Sequence, residues 1–174
     1  MRQLNDVVWS LDARNDHLAD LVNRMRDYAY DVLGTVGLEV HFEAPAGLLT
    51  QRLSALLRRN LYLIYKESLH NILKHAASAT RVAVQVRLEP GALTQLVLEV
   101  LDNGQTTPAA NRAPCYSRRT GQGLRNIKER AQAMGTASCE SISEGFCIRV
   151  AVPLLSGWKA YGRKKKQTTN LGTQ

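Results

Sequence analysis

The chain has 174 residues, 44% of them hydrophobic, which is enough to bury one ordinary core and not two. Its three cysteines, Cys115, Cys139 and Cys147, lack C-x-x-C spacing and exclude a disulfide framework or zinc site. With no apolar run of about 18 residues and no basic segment leading an apolar block, neither a membrane span nor a signal peptide is encoded, and a cytoplasmic setting is expected.

The net charge of +8 is unevenly placed. Lys159, Arg163, Lys164, Lys165 and Lys166 hold five of the 23 basic side chains, leaving 18 bases against 15 acids over residues 1–158. The body therefore has no nucleic-acid signature, and residues 156–174 read as a basic, solvated and disordered tail.

In chain order, Leu4, Val7, Val8 and Leu11 recur at helical spacing. After an interruption at Asp12–Asn15 the pattern resumes with Leu18, Leu21, Val22, Met25, Ala29 and Leu33, predicting a helix capped by Asn15 or Asp16 and stopped at Gly34 or Gly37. Leu38–Phe42 alternates apolar and polar residues as a half-buried strand does, ending at Pro45 and Gly47. Thr50 is placed to cap a long helix to about Ala76, anchored by Leu61, Leu63, Ile64, Leu69, Ile72 and Leu73. Arg81–Leu88 and Leu93–Leu101, separated by Glu89-Pro90-Gly91, predict a hairpin. Residues 102–120 lack periodicity and read as a functional loop; Leu124–Met134 is a helix ended by Gly135; Thr136–Ser143 and Phe146–Val152 form a last strand pair around Glu144-Gly145.

Three loci carry chemistry. On the long helix Glu67, Asn71, Lys74 and His75 fall three or four residues apart and share one face, bringing an acid, an amide and basic groups together. Asn71 offers an amide oxygen to magnesium, which takes few protein ligands and completes its shell with water and phosphate; Lys74 can neutralise phosphate, and Glu67 can orient or deprotonate a nucleophile. Asp102 closes an apolar strand where a carboxylate can accept from the exocyclic amine of adenine, and Gly104 lets the backbone approach the ring. Gly121 and Gly123 allow backbone amides to converge on a phosphate at the start of a helix beginning near Leu124. Each has a plainer reading: an exposed helix face, a turn, tight helix packing. Position 126 is Asn126 rather than glycine, and no G-x-x-x-x-G-K run exists, so the commoner dinucleotide and P-loop folds are disfavoured. Arg112, Arg118 and Arg119 either reach phosphates or keep the loop soluble.

In this order and spacing the loci resemble the GHKL ATPases, and within them the catalytic ATP-binding domain of bacterial sensor histidine kinases with a short lid. Glu67-x-x-x-Asn71-x-x-Lys74-His75-Ala76 is similar to the N box, Asp102-x-Gly104 to the G1 box, and Gly121-x-Gly123-Leu124-Arg125-Asn126-Ile127-x-Glu129-Arg130 to the G2 box. Leu4–Leu11 with Trp9 resembles the end of the second dimerisation helix. The sequence departs at Thr106, where a second glycine is common, and at Phe146, where a threonine is common. It also lacks any His-Asp or His-Glu dipeptide of the phosphoacceptor type.

The resemblance implies an α+β fold, a two-layer α/β Bergerat sandwich with helices on one face of a mixed sheet. It divides the chain into residues 1–13, the end of a dimerisation helix; 14–155, the ATP-binding domain; and 156–174, the tail. Expected cofactors are ATP and Mg2+. The cofactor-binding residues are Asn71, Lys74, His75, Asp102, Gly104, Gly121, Gly123 and Leu124, Asn71 also holding the metal and Glu67 acting catalytically. Expected partners are the dimerisation and phosphoacceptor domain of the same kinase, a response regulator, and a second copy in a full-length homodimer that could be membrane-anchored; nucleic acid is not expected. The alternatives are a stand-alone serine kinase of the anti-sigma-factor type and a non-catalytic nucleotide-binding module.

Overall fold

The computed structural model describes residues 16–44, 51–76, 78–104, 122–142 and 145–154. The helix expected over Leu4–Leu11, Thr50, Gly121, the arginines of the 105–121 segment and the basic tail lie outside them.

Three helices and five strands are described: α1 (Leu18–Gly34), β1 (Glu39–Glu43), α2 (Ala55–His75), β2 (Arg81–Glu89), β3 (Gln95–Asp102), α3 (Gln122–Gln132), β4 (Thr136–Ile142) and β5 (Gly145–Pro153). The strands form one mixed sheet in the order β1-β2-β3-β5-β4, parallel between β1 and β2 and antiparallel elsewhere. None of the described helices is long and apolar enough to cross a membrane.

Alternation within the strands decides which sheet face meets the helices. Val82, Val84 and Val86 of β2, Leu96, Leu98 and Val100 of β3, and Ile148, Val150 and Val152 of β5 join Leu21, Met25, Ala29, Ile64, Leu69 and Ile127 in a single core. Burying each large aliphatic side chain contributes roughly 1.5–3 kcal/mol, so this layer contact is the main adhesive of the domain. Two polar groups inside it are satisfied locally: the Tyr65 hydroxyl donates to Met25 O at 2.8 Å and Ser68 Oγ donates to Ile64 O at 2.8 Å.

The opposite face is charged. Arg87 of β2 forms a bidentate pair with Glu99 of β3, which holds the Glu99 carboxyl below its ordinary range chiefly through those hydrogen bonds. Arg149 of β5 reaches across β3 to Glu89 of β2, Nη2 to Oε2 at 2.6 Å. Its stem crosses the row occupied by Val97, which is fully buried although it lies outside the helix-facing core.

Several boundaries differ from the sequence expectation for local reasons. The long helix is capped by Ser54, whose hydroxyl accepts from Leu57 N–H at 3.1 Å, so it begins at Ala55. The preceding residues are held extended instead, with Leu18 N–H on Gln51 O and Leu53 N–H on Asp16 O. The N-cap of α1 is His17 rather than Asn15 or Asp16, and Asp20 reaches back to accept from its backbone N–H. Its end at Gly34 and the positive φ of 78° at Gly37 match the expected stop. Leu73 is exposed and Leu63 only half-buried, because the buried stripe of α2 runs through Leu61, Ile64, Tyr65, Ser68, Leu69 and Ile72 and leaves both off-axis. Asp102 belongs to β3, not to the loop after it, and α3 begins at Gln122, two residues before the expected start. Gly135 ends that helical stretch as expected; a Cβ there would also collide with Ala151 O of β5.

Candidate functional site

The C-terminal half of α2 organises the site. Glu67 and Asn71 are one helical turn apart and half-buried, and both turn toward the first turn of α3. A Cβ placed on Gly123 would lie 2.5 Å from Glu67 Oε1 and 3.0 Å from Asn71 Oδ1, so two oxygens converge on one point that only a glycine leaves open. Gly123 is buried within the helix rather than ahead of it, and its N–H belongs to the unpaired set at a helix N-terminus. Asn71 Nδ2 is buried with no hydrogen-bond partner among the described residues. An unsatisfied buried amide is costly and calls for a partner from beyond the described residues.

The second part of the site lies beyond the last turn of the same helix, five residues past Asn71, or roughly 7.5 Å at the helical rise. Asp102 ends β3 at 3% exposure. Burial pushes its carboxyl above the ordinary value of 3.8, and the hydrogen bond from Gly104 N–H to Oδ1, 2.9 Å long, pulls partly the other way. Gly104 is pressed against the α2 end: an added Cβ would sit 3.0 Å from Ala76 Cβ and 3.2 Å from Ala79 Cβ. Small residues on both sides thus admit close backbone approach beside a buried acceptor.

Lys74 and His75 occupy the exposed last turn of α2, where positive charge also complements the helix C-terminus. Leu124 is 36% exposed beside Gly123. The structure therefore brings Glu67, Asn71 and Gly123 together at one end and Asp102 and Gly104 together at the other. Gly121 falls outside the described residues.

Two residues were not singled out by sequence reasoning. Gly145, read only as a turn, has φ 145° and sits against the Asp102 carbonyl, so a side chain there would displace the strand end that presents the carboxylate. Asn103, between Asp102 and Gly104, ties that strand end to the α2–β2 connection through its side chain. For Gly145 the only signal was a glycine opening an apolar strand; for Asn103 it was an amide in a turn-forming triplet.

The chemistry of Asn71 suits a magnesium ion: its amide oxygen is a hard donor of the kind that metal takes singly, and its buried amide nitrogen has no partner among the described residues, where no cluster of three or more His, Cys, Asp or Glu that would make a fully protein-built centre occurs.

Comparison with solved structures finds the same architecture in histidine kinases. A blue-light activated histidine kinase from Erythrobacter litoralis EL346 aligns with TM-score 0.61 and 22% identity over 88% of this chain and 52% of that one. A histidine kinase from Burkholderia phymatum STM815 aligns with TM-score 0.59 and 16% identity over 87% and 75%. The nucleotide-free catalytic domain of histidine kinase ThkA aligns with TM-score 0.56 and 13% identity over 79% and 93%. The chain thus spans about half the length of the light-activated kinase and nearly all of an isolated catalytic domain. No curated protein matches the sequence. The profile of the histidine kinase-, DNA gyrase B- and HSP90-like ATPases matches residues 57–156, more than half of the chain and the whole of the site just described, and the protein belongs to that family of ATPases.

Proposed function

We propose that this chain is the ATP-binding catalytic domain of a sensor histidine kinase, delivering the γ-phosphoryl group of ATP to a histidine on a dimerisation domain. The observation that carries the reading is the alignment of two chemistries along one helix: converging oxygens of Glu67 and Asn71 beneath Gly123, and the buried Asp102 carboxylate beside Gly104 one to two turns further on. That spacing suits a nucleotide lying along α2, base at Asp102 and phosphates toward α3.

In this scheme Asp102 accepts from the adenine amine, and the 6-oxo group of guanine is rejected because it brings an acceptor against a carboxylate. Asn71 holds magnesium, which when bound neutralises phosphate charge. Lys74 and His75 offer further donors to the phosphates, and the amides at Gly123 and Leu124 serve them from the start of α3, with Gly121 assigned to the same phosphates. Glu67 orients or deprotonates the accepting imidazole. Transfer of this kind depends on positioning and charge neutralisation more than on covalent help from the protein. A response regulator, a homodimeric parent and a cytoplasmic setting complete the proposal, with residues 1–13 as the end of a dimerisation helix and 156–174 as a tail outside the chemistry.

Calorimetric titration with ATP, with and without magnesium, tests the site. Asn71→Ala should weaken mainly the metal-dependent part of binding, and Asp102→Ala should remove binding; indifference to both substitutions refutes the assignment. Incubation with ATP and a separately expressed dimerisation segment tests the reaction: an acid-labile phosphate on that segment is expected, and an acid-stable one would transfer the assignment to a serine kinase.

A further inference from the structure

Asn103 stands between Asp102 and Gly104, and its side chain turns away from both, toward residues 22 and 23 positions earlier. Its Oδ1 accepts from the backbone N–H groups of Thr80 and Arg81, each at 2.9 Å, and its Nδ2 donates to Thr80 Oγ1 at 2.9 Å. Its own N–H donates to Arg81 O at 3.3 Å. Thr80 is gripped from the other side as well, its carbonyl accepting from Glu39 N–H of β1 at 2.9 Å.

These bonds join the two pieces of chain that enclose the base end of the site. One piece is the end of β3, carrying the Asp102 carboxylate and the Gly104 backbone. The other is the connection leaving α2, where Ala79 N–H folds back onto Ala76 O at 2.9 Å and presents Ala76 and Ala79 to Gly104. The seam prolongs the end of the β2–β3 ladder by one step, through side-chain rather than ladder hydrogen bonds. Thr80 and Asn103 lie just outside the β2–β3 ladder, which begins at the Val82–Asp102 pair.

We infer that Asn103 is a positioning residue for base selection: by strapping Thr80–Arg81 to the end of β3 it fixes the distance between the Ala76–Ala79 wall and the Asp102 carboxylate, and so enforces the choice of a 6-amino over a 6-oxo purine. The inference rests on the nucleotide-binding reading above and extends it to a residue that need not touch the ligand. Discrimination built on one hydrogen-bonding edge is lost when the edge can shift, because the wrong base then finds a tolerable pose.

The test is the ratio of ATP to GTP affinity, measured by calorimetry on the full chain for wild type and for Asn103→Ala, Asn103→Asp, Thr80→Val and Leu21→Ala, with ATP binding by Asp102→Ala measured alongside. Asn103→Ala should lower the ratio about tenfold, the loss expected from freeing one to two hydrogen bonds' worth of positioning, while the magnesium dependence of ATP binding persists. Asn103→Asp should restore most of the ratio. A carboxylate keeps the acceptor for both N–H groups, and the Thr80 hydroxyl can turn to donate to its second oxygen. Thr80→Val, which loses only that last bond, should fall between. Leu21→Ala, a core truncation in α1 remote from the site, controls for lost stability and should keep the ratio even where its melting temperature falls as far as that of Asn103→Ala. An unchanged ratio in Asn103→Ala, or an equal loss in Leu21→Ala, overturns the inference. Should Asp102→Ala bind ATP as wild type does, base recognition by Asp102 fails and this inference fails with it; loss of ATP binding in Asp102→Ala with an unchanged ratio in Asn103→Ala refutes the role of Asn103 alone.

Discussion

Gly145→Ala is the substitution from which the fold predicts the most damage for one added carbon. Gly145 opens β5 with φ 145°, and a methyl group there would lie 2.7 Å from the Asp102 carbonyl carbon and 3.1 Å from Asn103 Cα, closer still to the carbonyl oxygen. The obstructing atoms are backbone, so no rotamer change relieves the clash. A non-glycine residue in this region costs about 1–3 kcal/mol in backbone strain, and forcing packed neighbours apart costs about 1–3 kcal/mol more. The combined loss of roughly 2–6 kcal/mol is a large part of the about 5–15 kcal/mol that stabilises a typical domain. Because the atoms pushed belong to Asp102, nucleotide binding should suffer beyond the loss of stability. Gly34→Ala is the internal control: nothing lies within 4 Å of a Cβ there, and the residue ends a helix with no positive φ, so a gain of about 0.4–1 kcal/mol is expected. Urea unfolding of both variants, with ATP titration of whatever remains folded, decides the matter. A Gly145→Ala protein within about 1 kcal/mol of wild type and undiminished in ATP binding would refute the close approach.

Asp102→Asn should stabilise the nucleotide-free protein near neutral pH. The folded carboxyl titrates above its unfolded value, so the stability it contributes is complete below the unfolded value of 3.8 and is lost as pH rises through the folded one. The advantage of the asparagine variant in urea unfolding should therefore shrink on acidification, and an advantage that grows toward acid would reverse the sign assigned to burial. Tyr65→Phe removes a hydroxyl that donates to Met25 O inside the α1–α2 contact while keeping the ring, and should cost about 0.5–1.5 kcal/mol by chemical denaturation; a neutral result would mean that bond contributes nothing net. Ser54→Ala removes the N-cap of α2 and should cost about 0.5–2 kcal/mol, whereas Ser54→Asp should retain most of the wild-type stability, both read from thermal melts.

The sequence was most legible where one period dominated. The stripe Leu18–Leu33 and the alternation of Val82, Val84 and Val86 leave a single way to face a core, and the structure uses it. Legibility failed where a tertiary partner outweighed local preference. Residues 51–53 pair with 16–18 instead of extending α2, and the buried stripe of that helix runs through Tyr65 and Ser68, whose polar groups find main-chain acceptors, while Leu73 falls beside it. For the site, the helical spacing of Glu67 and Asn71 was readable because i and i+4 positions must share a face. The convergence of Gly123 on that pair was not, since it depends on how α3 packs across α2. The structural duties of Asn103 and Gly145 were hidden for the same reason: each is a short polar or glycine residue whose partner lies more than 20 or 40 positions away.

Asp102 and Phe146 are direct cross-strand partners in the β3–β5 ladder. The chain between them departs and returns at one rung, so a change of length confined to the connection after Gly104 leaves the β3–β5 register untouched, while α3 stays packed in the core and β4 stays paired with β5. Chain closure penalises such an excursion only logarithmically, by about 0.6 kcal/mol for each doubling. Segments inserted after Gly104 can thus be lengthened, shortened or exchanged with little consequence for the scaffold, leaving that stretch free to diversify while the rung beneath it stays fixed.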